Sequence, residues 1–163
     1  MINVHKRLIT AFDSLPTVQG FKPNYKWGNE DHLNQLIEAY YKDVTKLPYP
    51  LIYNISNSYT QNAQTLESQA TLSLLIATRN ENTSLLNNER WASSYDNILF
   101  PVARSIETLF SKSIIFGWDS EYELFEFPNY GQSRENETID IWDALRFDTT
   151  ITINDKCFKP IKY

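Results

Sequence analysis

The sequence predicts an α+β fold: a small four-stranded sheet, mixed or antiparallel, packed by one long helix and by helices from the N-terminal part. Three observations predict it. Residues 139–154 ("IDIWDALRFDTTITIN") and residues 68–80 ("SQATLSLLIATRN") alternate apolar and polar side chains with the period of a strand. Between them, Tyr95, Ile98, Leu99, Val102, Ile106, Leu109 and Phe110 form a stripe at helical spacing. The order α-α-β-β-α-β-β shows no repeat and no linker. The 163 residues are therefore assigned to one domain, 1–163, with N-terminal helices and an aromatic loop over 1–47 and a sheet-plus-helix core over 48–163.

The elements follow in order. Residues 2–12 place Ile2, Val4, Leu8, Ile9 and Phe12 at mixed helical spacing, and a short helix closes before Pro16. Residues 14–30 ("SLPTVQGFKPNYKWGNE") carry Pro, Gly and Asn and read as a loop that docks through Phe21, Tyr25 and Trp27. A second helix follows, with Leu33, Leu36, Ile37, Tyr40 and Val44 on one stripe and Asn29 or Asp31 as its cap, ending before Pro48. "PLIYNIS", residues 50–56, reads as the first strand, and "NSYTQNAQTLE" as a polar loop. On the second strand, 68–80, Leu75 and Ala77 make the other face partly apolar, which calls for a covering helix or another subunit.

Ser93 or Ser94 is the expected N-cap of the long helix. Pro101 either kinks it by freeing the carbonyl of Asn97 or sits in the first turn of a helix that begins near Phe100. "YELFEFPNYG", residues 122–131, is the third strand. The fourth carries a puzzle: Asp143 falls on its apolar face and Trp142 on its polar one. A β-bulge near 142–143 would exchange the two faces. Alternatively "DIWDAL" is an irregular turn and the strand starts at Leu145.

Composition excludes several classes. With 42% hydrophobic and 14% aromatic residues the chain is not mainly disordered. A formal charge of −5 opposes general nucleic-acid binding, which needs Lys and Arg at phosphates. One cysteine, Cys157, forms no internal disulfide. The start shows neither an apolar h-region nor a cleavage site, so the expectation is a chain without a secretory signal, folding in a reducing cytoplasm.

The two histidines, His5 and His32, stand far apart, and no Cys/His or His/Glu spacing resembles a zinc site. The glycines form no phosphate cradle. No catalytic residue, cofactor site or metal site is assigned. The acidic side chains of the second half raise a metal-dependent nuclease as an alternative, but neither "YELFEF" nor "TITINDK" gives a Glu-x-Lys strand following an Asp.

Two stretches carry a resemblance. They are "N-x-x-R-W-x-x-x-Y-D-x-I-L-x-P-V", Asn87 to Val102, and "N-Y-G…D-I-W-D-A-L", Asn129 to Leu145. Together with the "PYPLIY" strand they resemble the small ring or connector proteins of tailed bacteriophages, closest to those of crAss-like phages. The chain is similar more broadly to the tail-terminator and head–tail joining group. The resemblance covers about Pro48 to Asn154. It implies a virion protein of the neck or tail, assembled in the host cytoplasm, forming a homo-oligomeric ring between portal and tail, twelvefold by preference and sixfold as the alternative. It implies portal or adjacent ring and tail proteins as neighbours, DNA passing without specific binding, no membrane and no enzymatic activity. A small accessory protein-binding module is the other reading.

On this reading the contacts between chains fall to Phe21, Tyr25, Trp27, Trp142 and the turn Asn129-Tyr130-Gly131, and to a free edge of the last strand. The channel wall falls to Glu135, Glu137 and Asp140 of loop 132–140, or to Asp119, Glu121 and Glu123 of loop 117–123, unless these loops lie on the outside of the ring.

Overall fold

The computed structural model of the chain describes residues 3–42, 49–55, 58–80, 87–130 and 141–154. Among them the fold is α+β, as the pattern predicts, but the sheet has seven strands rather than four. They are β1 (Asn24–Trp27), β2 (Leu51–Asn54), β3 (Tyr59–Asn62), β4 (Glu67–Asn80), β5 (Phe116–Gly117), β6 (Tyr122–Tyr130) and β7 (Ile141–Asn154). The three that the sequence reading placed in loops are short and lie along the flanks: β1 inside the aromatic segment, β3 in the polar stretch, and β5 just after the long helix.

Two fourteen-residue strands form the centre. β4 and β7 pair antiparallel without interruption from Glu67↔Asn154 to Asn80↔Ile141. β2 and β3 pair with opposite ends of β4 on its outer side, and β1 runs parallel to β2. β6 and β5 pair with β7 on the far side. β7 is thus an inner strand, and its expected free edge does not exist.

Helix α1 (Val4–Phe12) starts where the Asn3 Oδ1 accepts the Lys6 N–H at 2.9 Å. It buries Val4, Leu8, Ala11 and Phe12, one stripe at helical spacing. Helix α2 (Glu30–Lys42) starts where the Asn29 Oδ1 accepts the His32 N–H at 2.8 Å, one of the two caps foreseen. Glu30 and Asp31 add favourable charge at its positive end.

The long helix begins earlier than expected. α3 (Asn87–Arg90) leads into a π-helical stretch (Trp91–Leu99) and then α4 (Phe100–Lys112). Ser93 and Ser94 therefore lie inside the helix and cap nothing. Pro101 stands in the first turn of α4, which continues the helix rather than starting it afresh. The Phe100 N–H donates to the Tyr95 carbonyl, five residues back. This wider ring brings Ser94 and Tyr95 onto the sheet, while Ile98 is only partly buried.

The sheet is covered on both sides. α1 and the long helix pack on one face, against Ala70, Leu72, Leu74, Ile76, Leu145, Phe147, Ile151 and Ile153. On the other, Leu33 and Ile37 of α2 bury Leu51, Tyr53, Leu75, Ala77, Trp142 and Ala144. The second apolar face of β4 is thus covered by a helix of the same chain.

Trp142 and Asp143 are explained without a bulge in β7, whose register with β4 runs straight through them. Trp142 lies under α2, 1% exposed, and Asp143 points to the long helix, fully buried. The irregularity sits in the neighbouring strand, where β6 shifts register between Phe127 and Tyr130.

Candidate interaction surface

The two stretches that carry the phage resemblance meet in space. Asp143, buried on β7, needs a cation and hydrogen-bond donors to stay charged away from water. The Arg90 Nε lies 3.6 Å from its Oδ1. The Ser94 hydroxyl donates to its Oδ2 at 2.7 Å, and the Asn129 N–H donates to its Oδ1 at 3.3 Å. The Arg90 Nη1 in turn donates to the Asn129 Oδ1 at 2.6 Å. Asn129 has φ of 57°, a left-handed conformation that Asn tolerates better than most residues. It is the residue at which β6 shifts register. The Tyr95 hydroxyl donates to the Ala144 carbonyl at 3.3 Å. Burial, and secondarily the charges of Asp143 and Glu126, raise the Tyr95 phenol well above its usual range, so it stays a neutral donor.

The geometry is that of a clamp. It ties the start of the long helix to both strands at one end of the sheet. The Arg90–Asp143 pair was not foreseen from the sequence, although a carboxylate alone on an apolar strand face is itself the signal for a buried cation.

The expected contact residues divide into two groups. Trp142 is buried beneath α2 and Tyr25, 8% exposed, beneath α1. Neither side chain is exposed on this chain's surface, so neither offers its ring as a contact for another copy. Phe21 and Trp27 are exposed at 46% and 39%. Phe21 packs on Tyr49 with ring centres 4.9 Å apart, and Trp27 stacks on His5 at 5.0 Å. Tyr130 is partly buried against Trp142 and the α2 side of the sheet. Glu135, Glu137, Asp140 and Gly131 lie outside the described residues, as does Cys157.

Beside the exposed Tyr59, Trp91 and Ile114, three exposed large apolar side chains lie together on β6. Tyr122, Leu124 and Phe125 are each more than a third exposed, and among the described residues β6 pairs only with β7. Tyr122 stacks on Phe147 at 4.6 Å on the long-helix face, while the Arg146 guanidinium covers the Phe125 ring at 4.3 Å on the opposite face. Both faces of this flank are aromatic, and its sequence from Asp119 to Tyr130 carries four carboxylates and no cation. Across the sheet, β1 pairs only with β2 among the described residues.

Two hollows complete the surface. One, of about 540 Å³ between α1 and α4, is lined by Ala11, Leu15, Pro16, Leu109 and Ile115, with Arg7 and Lys112 at its rim. The other gathers Asp119, Glu121, Glu123 and Asp148. There Asp148 already accepts the Ser73 hydroxyl at 2.6 Å and the Arg146 Nε–H at 3.0 Å. Among the described residues no group of three or more His, Cys, Asp or Glu is placed to hold a metal ion, and no helix is long and apolar enough to cross a membrane. Comparisons with protein-family models, with curated proteins and with solved structures find no match to this chain.

Proposed function

We propose that the chain is a structural protein of a tailed bacteriophage. Copies of it form a ring in the connector between portal and tail and leave a channel for DNA. The observation that supports this most is the open sheet: among the described residues β1 and β6 are outer strands on opposite flanks, alongside the outer strands β3 and β5, and the two differ in chemistry. A ring needs two different surfaces on each subunit, one meeting the other in the next copy. An isologous dimer would need one self-complementary patch instead. The resemblance of the Asn87–Val102 and Asn129–Leu145 stretches points the same way, and their residues build a structural clamp. Twelve copies are the preferred number and six the alternative.

The net charge of −5 suits a wall that lets a duplex slide, because basic walls would hold phosphates. Glu135, Glu137 and Asp140 are candidates for that wall or, as the alternative, Asp119 and Glu121, their expected companion Glu123 lying in β6 rather than in a loop. An accessory protein-binding module is the second reading, favoured by the apolar hollow between α1 and α4. Native mass spectrometry with negative-stain imaging tests the proposal. Rings of one stoichiometry are expected; a monomer at every concentration, binding a single host protein, would replace it with the second reading.

A further inference from the structure

We infer that β6 of one copy pairs edge to edge with β1 of the next, so that the subunit sheets join into one continuous sheet. This rests on the ring reading above and names its subunit junction.

Among the described residues, nothing pairs with the outer edge of either strand. β1 bonds to β2 through alternate residues, with the Asn24 N–H reaching Pro50 O at 2.9 Å and the Gly28 N–H reaching Asn54 O at 3.2 Å. Tyr25 and Trp27, lying between them and out of phase with them, therefore aim their N–H and C=O groups away from β2. Alternate residues of β6 likewise aim away from β7.

Strand sense agrees. β6 is antiparallel to β7, β7 to β4, and β4 to β2, while β2 is parallel to β1. β6 therefore runs opposite to β1. Copies set side by side in the same orientation bring the two edges together as an antiparallel pair, the pattern with the better hydrogen-bond geometry.

Side chains agree as well. The pairing of Lys26 with Tyr53 places it on the α2 face, and the pairing of Phe125 with Arg146 places Glu123, Phe125 and Phe127 on that face. A continuous sheet sets Lys26 among Glu123 and Phe125, a carboxylate and an aromatic ring that both attract a cation. On the long-helix face Trp27 meets Tyr122 and Leu124, covering three of the exposed large apolar side chains.

Charge selects this pairing over a β6–β6 contact. Residues 3–27 carry Lys6, Arg7, Lys22 and Lys26 against Asp13 alone, and residues 119–130 carry only acids. A β6–β6 contact would bring glutamates together, whereas β6–β1 brings opposite signs together.

The test uses the full chain. Lys26→Glu alone and Glu123→Lys alone should each weaken association on the order of tenfold or more. Lys26→Glu/Glu123→Lys in one chain should restore it, and so should an equimolar mixture of the two single variants. In a Cys157→Ser background, Lys26→Cys/Glu123→Cys should oxidise to a ladder of covalent oligomers, while either cysteine alone, facing no thiol across the junction, should stay monomeric; dimers of a single variant would point to like edges meeting. An oligomeric wild type with unaffected charge variants and no ladder would overturn the junction and leave the ring standing. A wild type that never associates would remove the ring and the junction together.

Discussion

The two ends of the β4–β7 ladder are built from the same two strands and obey different rules. At one end, Leu74 to Thr78 and Trp142 to Leu145 are buried without a break, because α2 covers one face and the long helix the other. At the other end, among the described residues, only the long-helix face is covered. There Ala70 and Leu72 are buried while Gln69 and Thr71 are exposed, and Phe147, Thr149, Ile151 and Ile153 are buried while Arg146, Asp148, Thr150 and Thr152 are only partly so. Alternation in a sequence therefore reports one wet face. Its loss reports cover on both sides rather than an irregular strand.

The largest effect should come from the doubly covered end. Asp143→Ala leaves Arg90 as a buried cation without its counter-charge, which costs about 3–5 kcal/mol. The midpoint of urea unfolding should fall accordingly at unchanged slope. Arg90→Met/Asp143→Leu should recover most of the loss, because it removes both charges and keeps volume. A double variant no better than Asp143→Ala would show that the clamp holds through Ser94 and Asn129 rather than through the ion pair. Trp142→Ala at the same end should cost about 3–5 kcal/mol by opening a cavity under α2. A small loss there would mean that α2 does not hold its place against the sheet.

These two residues also show how far the sequence could be read. The paired long strands and their core were legible, since Leu72, Leu74, Leu145, Phe147 and Ile151 obey period two. The composite helix was legible along its α-helical part but not at its start, where the wider π-type turns change which residues face the sheet. β3 was hidden because Tyr59–Asn62 is polar and short, and β5 because two residues carry no pattern. β1 was hidden by the Pro, Gly and Asn around it. The surface was least legible: Tyr25 and Trp27 are two residues apart and on one face, yet α1 buries the first and leaves the second partly open.

A middle-sized effect separates the clamp from the packing around it. Tyr95→Phe loses one buried hydrogen bond and should cost about 0.5–1.5 kcal/mol near neutral pH. Burial raises the folded-state values of Tyr95 and Tyr25 above the ordinary phenol value of 10.0. The unfolded chain then releases these protons first as pH rises. Their contribution is whole below about pH 10 and is lost above it. Urea midpoints should hold up to that point and then fall, and the fall should be shallower in Tyr95→Phe. An equal fall in both proteins would assign the alkaline loss to Tyr25 and other groups.

The smallest effect uses two adjacent threonines on opposite faces of β7. The Thr149 hydroxyl donates to the Glu121 carbonyl at 2.6 Å and accepts the Trp118 indole N–H at 2.8 Å. Thr149→Val strands both partners and should cost about 1–3 kcal/mol. Thr150 lies on the half of the sheet that α2 leaves uncovered, and Val keeps both its shape and its β-branched preference for a strand. Thr150→Val should therefore stay within about 0.5 kcal/mol of wild type. Equal losses at the two positions would mean that this half of the sheet is covered as well, and that the contrast between the ends of the ladder is false. Repeating the pair of measurements on dilute and on associated protein extends the comparison. If the sheets join edge to edge, their open faces stay wet and Thr150→Val remains neutral in both states. If copies instead stack face to face, Thr150→Val changes association while leaving the dilute protein as stable as before.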